Sequence, residues 1–103
     1  MIRHSVIFKL KYPNNSEDEK AFLEAAAELE KIPGVQKFEM LRQISKKNKF
    51  DFGISMEFDD NIAYDSYSGH PDHESFLAKY WKTGVEDFLE IDYTLLSRTD
   101  RSR

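Results

Sequence analysis

The chain is predicted to fold as an α+β domain, an antiparallel sheet with its helices on one face. Three observations predict it. Phe50, Phe52, Ile54, Met56 and Phe58 alternate with Asp51, Gly53, Ser55 and Glu57, the period of a strand with one buried face. Residues 2–11 alternate in the same way, with Ile2, His4, Val6, Phe8 and Leu10 on one side and only Ile7 out of step. Two stretches of helical period separate and follow these strands, each opened by capping chemistry.

The elements follow in order. Tyr12-Pro13-Asn14-Asn15 is turn chemistry after the first strand. Ser16 with Glu19 forms a capping box, and Phe22, Ala25, Ala26 and Leu29 give the helix behind it one buried stripe. Ile32-Pro33-Gly34 stops that helix, residues 35–44 resume extended structure, and residues 45–49 turn into the strand around Phe52. Asp59-Asp60-Asn61 can cap a short helix carrying Ile62, Ala63 and Tyr67. Pro71 suits the first position of another helix, with Phe76, Leu77, Tyr80, Trp81 and Gly84 at helical spacing. Residues 85–95 close the domain as a last strand.

The order βαββαβ is the ferredoxin-like plan. A chain of 103 residues has the length of one domain, here residues 2–95, followed by a polar tail over 96–103. One face of the sheet, carrying Asp51, Gly53, Ser55 and Glu57, is left without helices. It is too mixed for a second core and too large to stay bare, which points to a second copy covering it.

Composition narrows the function classes. The chain has no cysteine, which excludes disulfides, zinc-thiolate sites and thiol nucleophiles. Net charge is −4 with acidic and basic residues intermixed, so the basic stripe of a nucleic-acid binder is missing. The basic groups around Lys46, Lys47 and Lys49 and at 98–103 read as a solvated turn and a chain end. No run approaches the roughly 20 apolar residues of a membrane span, and the opening residues lack the apolar core of a secretion signal. A cytoplasmic protein without membrane contact is expected. No glycine-rich phosphate loop, Ser-His-Asp arrangement or paired-acid site is present, and His70, Asp72 and His73 lack a clear third inward ligand for a metal. Neither a metal nor another cofactor is expected.

Acid–base chemistry concentrates in Tyr67-Ser68-Gly69-His70-Pro71-Asp72-His73, which holds two of the three histidines. His73 falls in the first turn of the helix begun by Pro71, where the helix dipole disfavours imidazolium and leaves a proton-accepting ring. Tyr67 can hydrogen-bond a substrate oxygen or His73 itself; the plain alternative is a Tyr–His bond satisfying two buried polar groups. His70 faces solvent at the helix start. His4 shares an apolar strand face with Val6 and Phe8, as a pocket residue or a satisfied core histidine.

Several landmarks together resemble one family. His4-Ser5-Val6-Ile7-Phe8-Lys9-Leu10, Ile32-Pro33-Gly34-Val35, Glu57-Phe58-Asp59-Asp60, the 67–73 segment and Asp92-Tyr93 are similar to those of stress-responsive dimeric α/β-barrel (Dabb) domains. The resemblance implies a ferredoxin-like protomer whose sheet meets that of a second copy to form a barrel. It implies no single reaction. A plant branch consists of cofactor-free polyketide cyclases, whose pocket tyrosine and histidine match Tyr67 and His73 and whose further pocket histidine matches His4. The pattern departs at Phe52, where the cyclases carry a histidine, and near Ala25, where they carry a tyrosine.

The implied site is therefore Tyr67 and His73 as the acid–base pair. His4, Val6, Phe8, Phe22, Phe52 and Ile54 are its ligand contacts, unless the aromatic residues among them serve only as core. The expected ligand is a small apolar or carbonyl compound. The function expected is a homodimeric small-ligand-binding domain of unassigned reaction. A cofactor-free cyclase, isomerase or lyase and a structural, stress-protective dimer are the alternatives.

Overall fold

The computed structural model describes residues 1–96, and residues 97–103 with their basic groups lie outside the described residues. Strand β1 (Ile2–Leu10), helix α1 (Glu17–Ala27), β2 (Gln36–Arg42), β3 (Phe52–Phe58), helices α2 (Asn61–Ser68) and α3 (Pro71–Phe76) and strand β4 (Val85–Thr94) follow one another. The four strands form one antiparallel sheet in the order β2-β3-β1-β4. This is the ferredoxin-like arrangement the strand and helix order predicts. No helix among the described residues is long and apolar enough to cross a membrane.

Local chemistry sets the element ends. Ser16 Oγ accepts from Glu19 N–H at 3.2 Å, while the Glu19 carboxylate reaches one residue further back than a standard capping box, to Asn15 N–H at 3.1 Å. A 3₁₀ turn, Glu28–Lys31, tightens the end of α1. Gly34 then takes φ +93°, a left-handed backbone that a side chain would strain. Asp60 caps α2 by accepting from Ala63 N–H at 2.9 Å.

His70 is half-buried rather than solvent-facing. It caps α3, its Nδ1 accepting from Asp72 N–H at 3.1 Å. Beyond α3 a π-helical turn, Leu77–Trp81, and a last α-helical turn, Lys82–Gly84, complete the segment. The extra residue per turn rotates Tyr80 out to 37% exposure, although its spacing predicts a core position.

The core lies between the helices and one sheet face. Phe8, Phe22, Met56 and Phe58 are its fully buried large side chains. Phe52 and Phe58 face the helices as the β3 alternation predicts, at 5% and 0% exposure. Ile62 does not join them; it is 80% exposed, and α2 turns Ala63, Tyr64 and Tyr67 inward instead.

Among the described residues no helix covers the other face. Antiparallel register aligns Leu41, Gly53, Ile7 and Leu89 in one row across all four strands, with Ile91 and Tyr93 on the same side. Leu41, Leu89 and Tyr93 are about half exposed, at 46%, 48% and 54%. This face is more apolar than β3 alone suggests, because β2 and β4 supply its large side chains. At one end Glu57 is buried between Arg3, at 2.7 Å, and Lys37, at 3.6 Å. The Arg3 hydrogen bond, with help from Lys37, holds the Glu57 carboxyl below the usual carboxylate range.

Candidate functional site

Strand register builds the site's deepest polar group. In the β1–β4 ladder His4 stands directly opposite Asp92, and Val6 opposite Glu90, all on the helix-facing side. His4 Nδ1 lies 2.6 Å from Asp92 Oδ1. An ionised carboxylate only accepts, so the network assigns the hydrogen to Nδ1, which donates. The Tyr64 hydroxyl donates to Asp92 Oδ2 at 2.7 Å, and its oxygen lies 3.0 Å from His4 Nδ1. Burial, reinforced by Asp92, pushes the Tyr64 phenol up. Asp92 thereby fixes the His4 ring and leaves Nε2 as its open nitrogen, 3.8 Å from Glu90 Oε2.

Tyr67 and His73 converge on the same region from the helical side. Gly69 ends α2, and the chain reverses into α3 by a bond from His70 N–H to the Tyr67 carbonyl at 3.1 Å. The Tyr67 ring lies 4.6 Å from that of His73, 6.2 Å from that of His4 and 5.2 Å from that of Phe58, centroid to centroid. Tyr67 and His73 meet ring to ring; among the described residues no direct side-chain hydrogen bond joins them. His73 Nδ1–H instead donates to the Ser68 carbonyl at 3.0 Å, which leaves Nε2 as the proton acceptor. Burial, with Glu90 adding to it, pushes the Tyr67 phenol up, so it remains protonated across the neutral range.

Burial also lowers the His73 pKa below the ordinary 6.5, outweighing the opposing Ser68 bond. Native His73 binds its proton less readily than the unfolded chain does. Its contribution to stability is therefore present above pH 6.5 and lost as pH falls through the lower native value. Ring-proton NMR should find His73 titrating with a midpoint below 6.5. A midpoint at or above that value contradicts the burial account.

Between these groups opens a cavity of about 450 Å³, within the range of small-molecule sites. His4, Tyr67, His73, Lys82 and Glu90 supply its polar lining; Val6, Leu29, Ile54, Met56, Phe76 and Trp81 supply much of its apolar wall. Of the residues singled out from sequence, His4, Val6, Ile54, Tyr67 and His73 thus line one cavity. Phe8 and Phe22 do not. They pack together at 5.5 Å in the closed core, because α1 seals the end of the sheet where Phe8 stands. Phe52 faces a different feature, a groove of about 650 Å³ between α1 and β2 that also holds Leu23, Met40 and Arg42. No histidine or tyrosine lines that groove.

Sequence reasoning missed Tyr64, Glu90 and Asp92. The available signal was the parity of β4: Leu89, Ile91 and Tyr93 share one face, and Glu90 and Asp92 the other. Among the described residues no group of three or more His, Asp or Glu side chains could hold a metal ion.

A ferredoxin-like protomer with a cavity between sheet and helices, lined by two histidines and a protonated tyrosine, defines the class of protein. The chain belongs to the stress responsive A/B barrel domain (Dabb) family, whose model matches residues 2–95. Among solved structures, a Dabb family protein with a ferredoxin-like fold from Mesorhizobium loti is 52% identical with TM-score 0.90, over 93% of this chain and 97% of that one.

Two more distant structures share the fold. A dimeric ferredoxin-like protein of unknown function from Thermobifida fusca is 21% identical with TM-score 0.74, over 91% of this chain and 90% of that one. A hydroxynitrile lyase from Passiflora edulis is 13% identical with TM-score 0.80, over 93% and 94%. No curated protein sequence matches the chain.

Proposed function

We propose that this protein is a homodimeric domain that binds a small carbonyl compound in the His4–Tyr67–His73 cavity and moves a proton on it without a cofactor. The observation that carries the reading is an open cavity reaching a neutral, one-side-anchored imidazole beside a protonated phenol. A purely structural Tyr–His pair would need no such space. In the reaction His73 Nε2 takes a proton from the carbon next to the carbonyl and becomes imidazolium. The electron pair left behind moves onto the carbonyl oxygen, which the Tyr67 O–H stabilises by hydrogen bonding. His4, oriented by Asp92, offers its Nε2 to the same ligand. The outcome is an enolate poised for cyclisation, isomerisation or loss of a leaving group. The binding half is tested by NMR titration with 4-nitroacetophenone. The resonances of His4, Met56, Tyr67 and His73 should shift together and saturate; shifts scattered over the surface would refute it.

The dimer part of the proposal rests on the bare sheet face with its row of Leu41, Ile7 and Leu89. Half-exposed leucines and a tyrosine on one contiguous face are expected to be covered. Dimeric neighbours of the same fold support the reading. Light scattering at micromolar concentration should give twice the chain mass, and Leu89→Lys should shift the protein toward monomer. A wild-type monomer would overturn the proposal.

A further inference from the structure

We infer that Glu90 sets the charge selectivity of this cavity, admitting uncharged aromatic or apolar carbonyl compounds and turning away their carboxylate analogues. The inference deepens the binding reading above and rests on it. Glu90 faces the cavity because β4 register places it beside Val6, on the helix side of the sheet. Its carboxylate is the charge nearest the open His4 nitrogen, 3.8 Å away, and its side chain is 55% exposed, so it bounds the cavity on the solvent side. Asp92 adds a second negative charge behind His4, with both oxygens engaged by His4 and Tyr64.

Among the described residues no arginine lines the cavity, and the one lysine that does, Lys82, is exposed. A ligand carboxylate would therefore be desolvated among Phe76, Trp81 and Phe88 with Glu90 repelling it. A neutral aromatic ring meets the opposite situation. Trp81 and Phe88, edge to face at 5.4 Å, offer it packing without a charge to compensate.

The test uses an isosteric pair, 4-nitroacetophenone and 4-acetylbenzoate, which differ in charge and hardly in shape. Calorimetry on the wild-type protein should find the nitro compound bound at least about tenfold more tightly, the effect of one like charge in a partly screened site. In Glu90→Gln the ratio should fall to within about threefold, through tighter binding of the benzoate; Glu90→Ala carries the same expectation. Equal affinities in the wild type, or a preference for the benzoate through Lys82, would overturn the inference while leaving the binding reading intact. A preference that survives in both variants would remove Glu90 from the role. Failure of both probes to bind would refute the binding reading itself, and this inference with it.

Discussion

Truncating Phe58 to alanine should destabilise the domain by about 3–5 kcal/mol, from lost transfer free energy plus the cavity left behind. Phe58 is completely buried and closes the β3 row that faces the helices. Its ring stacks on Tyr64 at 5.2 Å with an interplanar angle of 11°, and packs on Tyr67 at 5.2 Å. It is thus the floor beneath both tyrosines of the site, and its removal should loosen the His4–Asp92–Tyr64 network as well. Denaturant titration gives the number directly. A loss within about 1 kcal/mol of wild type would mean the helices do not press on this strand as described.

The second large effect concerns chemistry rather than folding. His73→Ala and Tyr67→Phe should each leave the domain folded while lowering proton transfer by about 10²–10⁴-fold, the usual scale for a positioned acid or base. His73 is half-buried, and among the described residues its one side-chain hydrogen bond is to Ser68, so its loss opens space at the cavity wall without breaching the closed core. Tyr67→Phe keeps the ring contacts with Phe58 and His73 and removes only the hydroxyl. Near-ultraviolet circular dichroism should match wild type for both. Variants that unfold, or that fold and keep full turnover, would return the pair to a structural role.

The fold was legible in the chain because its strongest patterns are local. The alternation in β3, the Ser16 and Asp60 caps and the Pro33-Gly34 stop each act over a few residues, and their order leaves one familiar topology. The proximity of Tyr67 and His73 was legible for the same reason, since both residues flank one reversal. The His4–Asp92–Tyr64 network was not. Its members are brought together by register between strands at the two ends of the chain, with 88 positions separating His4 from Asp92.

Strand β4 also inverts the usual rule. Its apolar residues Leu89, Ile91 and Tyr93 lie on the face without helices, while Glu90 and Asp92, together with Phe88, turn to the helix side. Hydrophobic patterning alone marks the apolar side of a strand as its core side and so gives no signal for Glu90 and Asp92 as inward residues. The inversion fits the proposal of a second copy on the outer face and a ligand cavity on the inner one. Phe8, Phe22 and Phe52 misled for a related reason: they share faces with site residues but stand at the end of the sheet that α1 closes.

The proposed role of His73 is to remove a proton from a carbonyl compound held in the cavity. Its most direct measurement is deuterium incorporation into the methyl group of 4-nitroacetophenone in D₂O, followed by proton NMR with no cofactor added. The methyl signal should fade faster with wild-type protein than in buffer, with the rate rising as His73 loses its proton, and the acceleration should vanish in His73→Ala. Exchange no faster than buffer, or acceleration equal in wild type and His73→Ala, would contradict it.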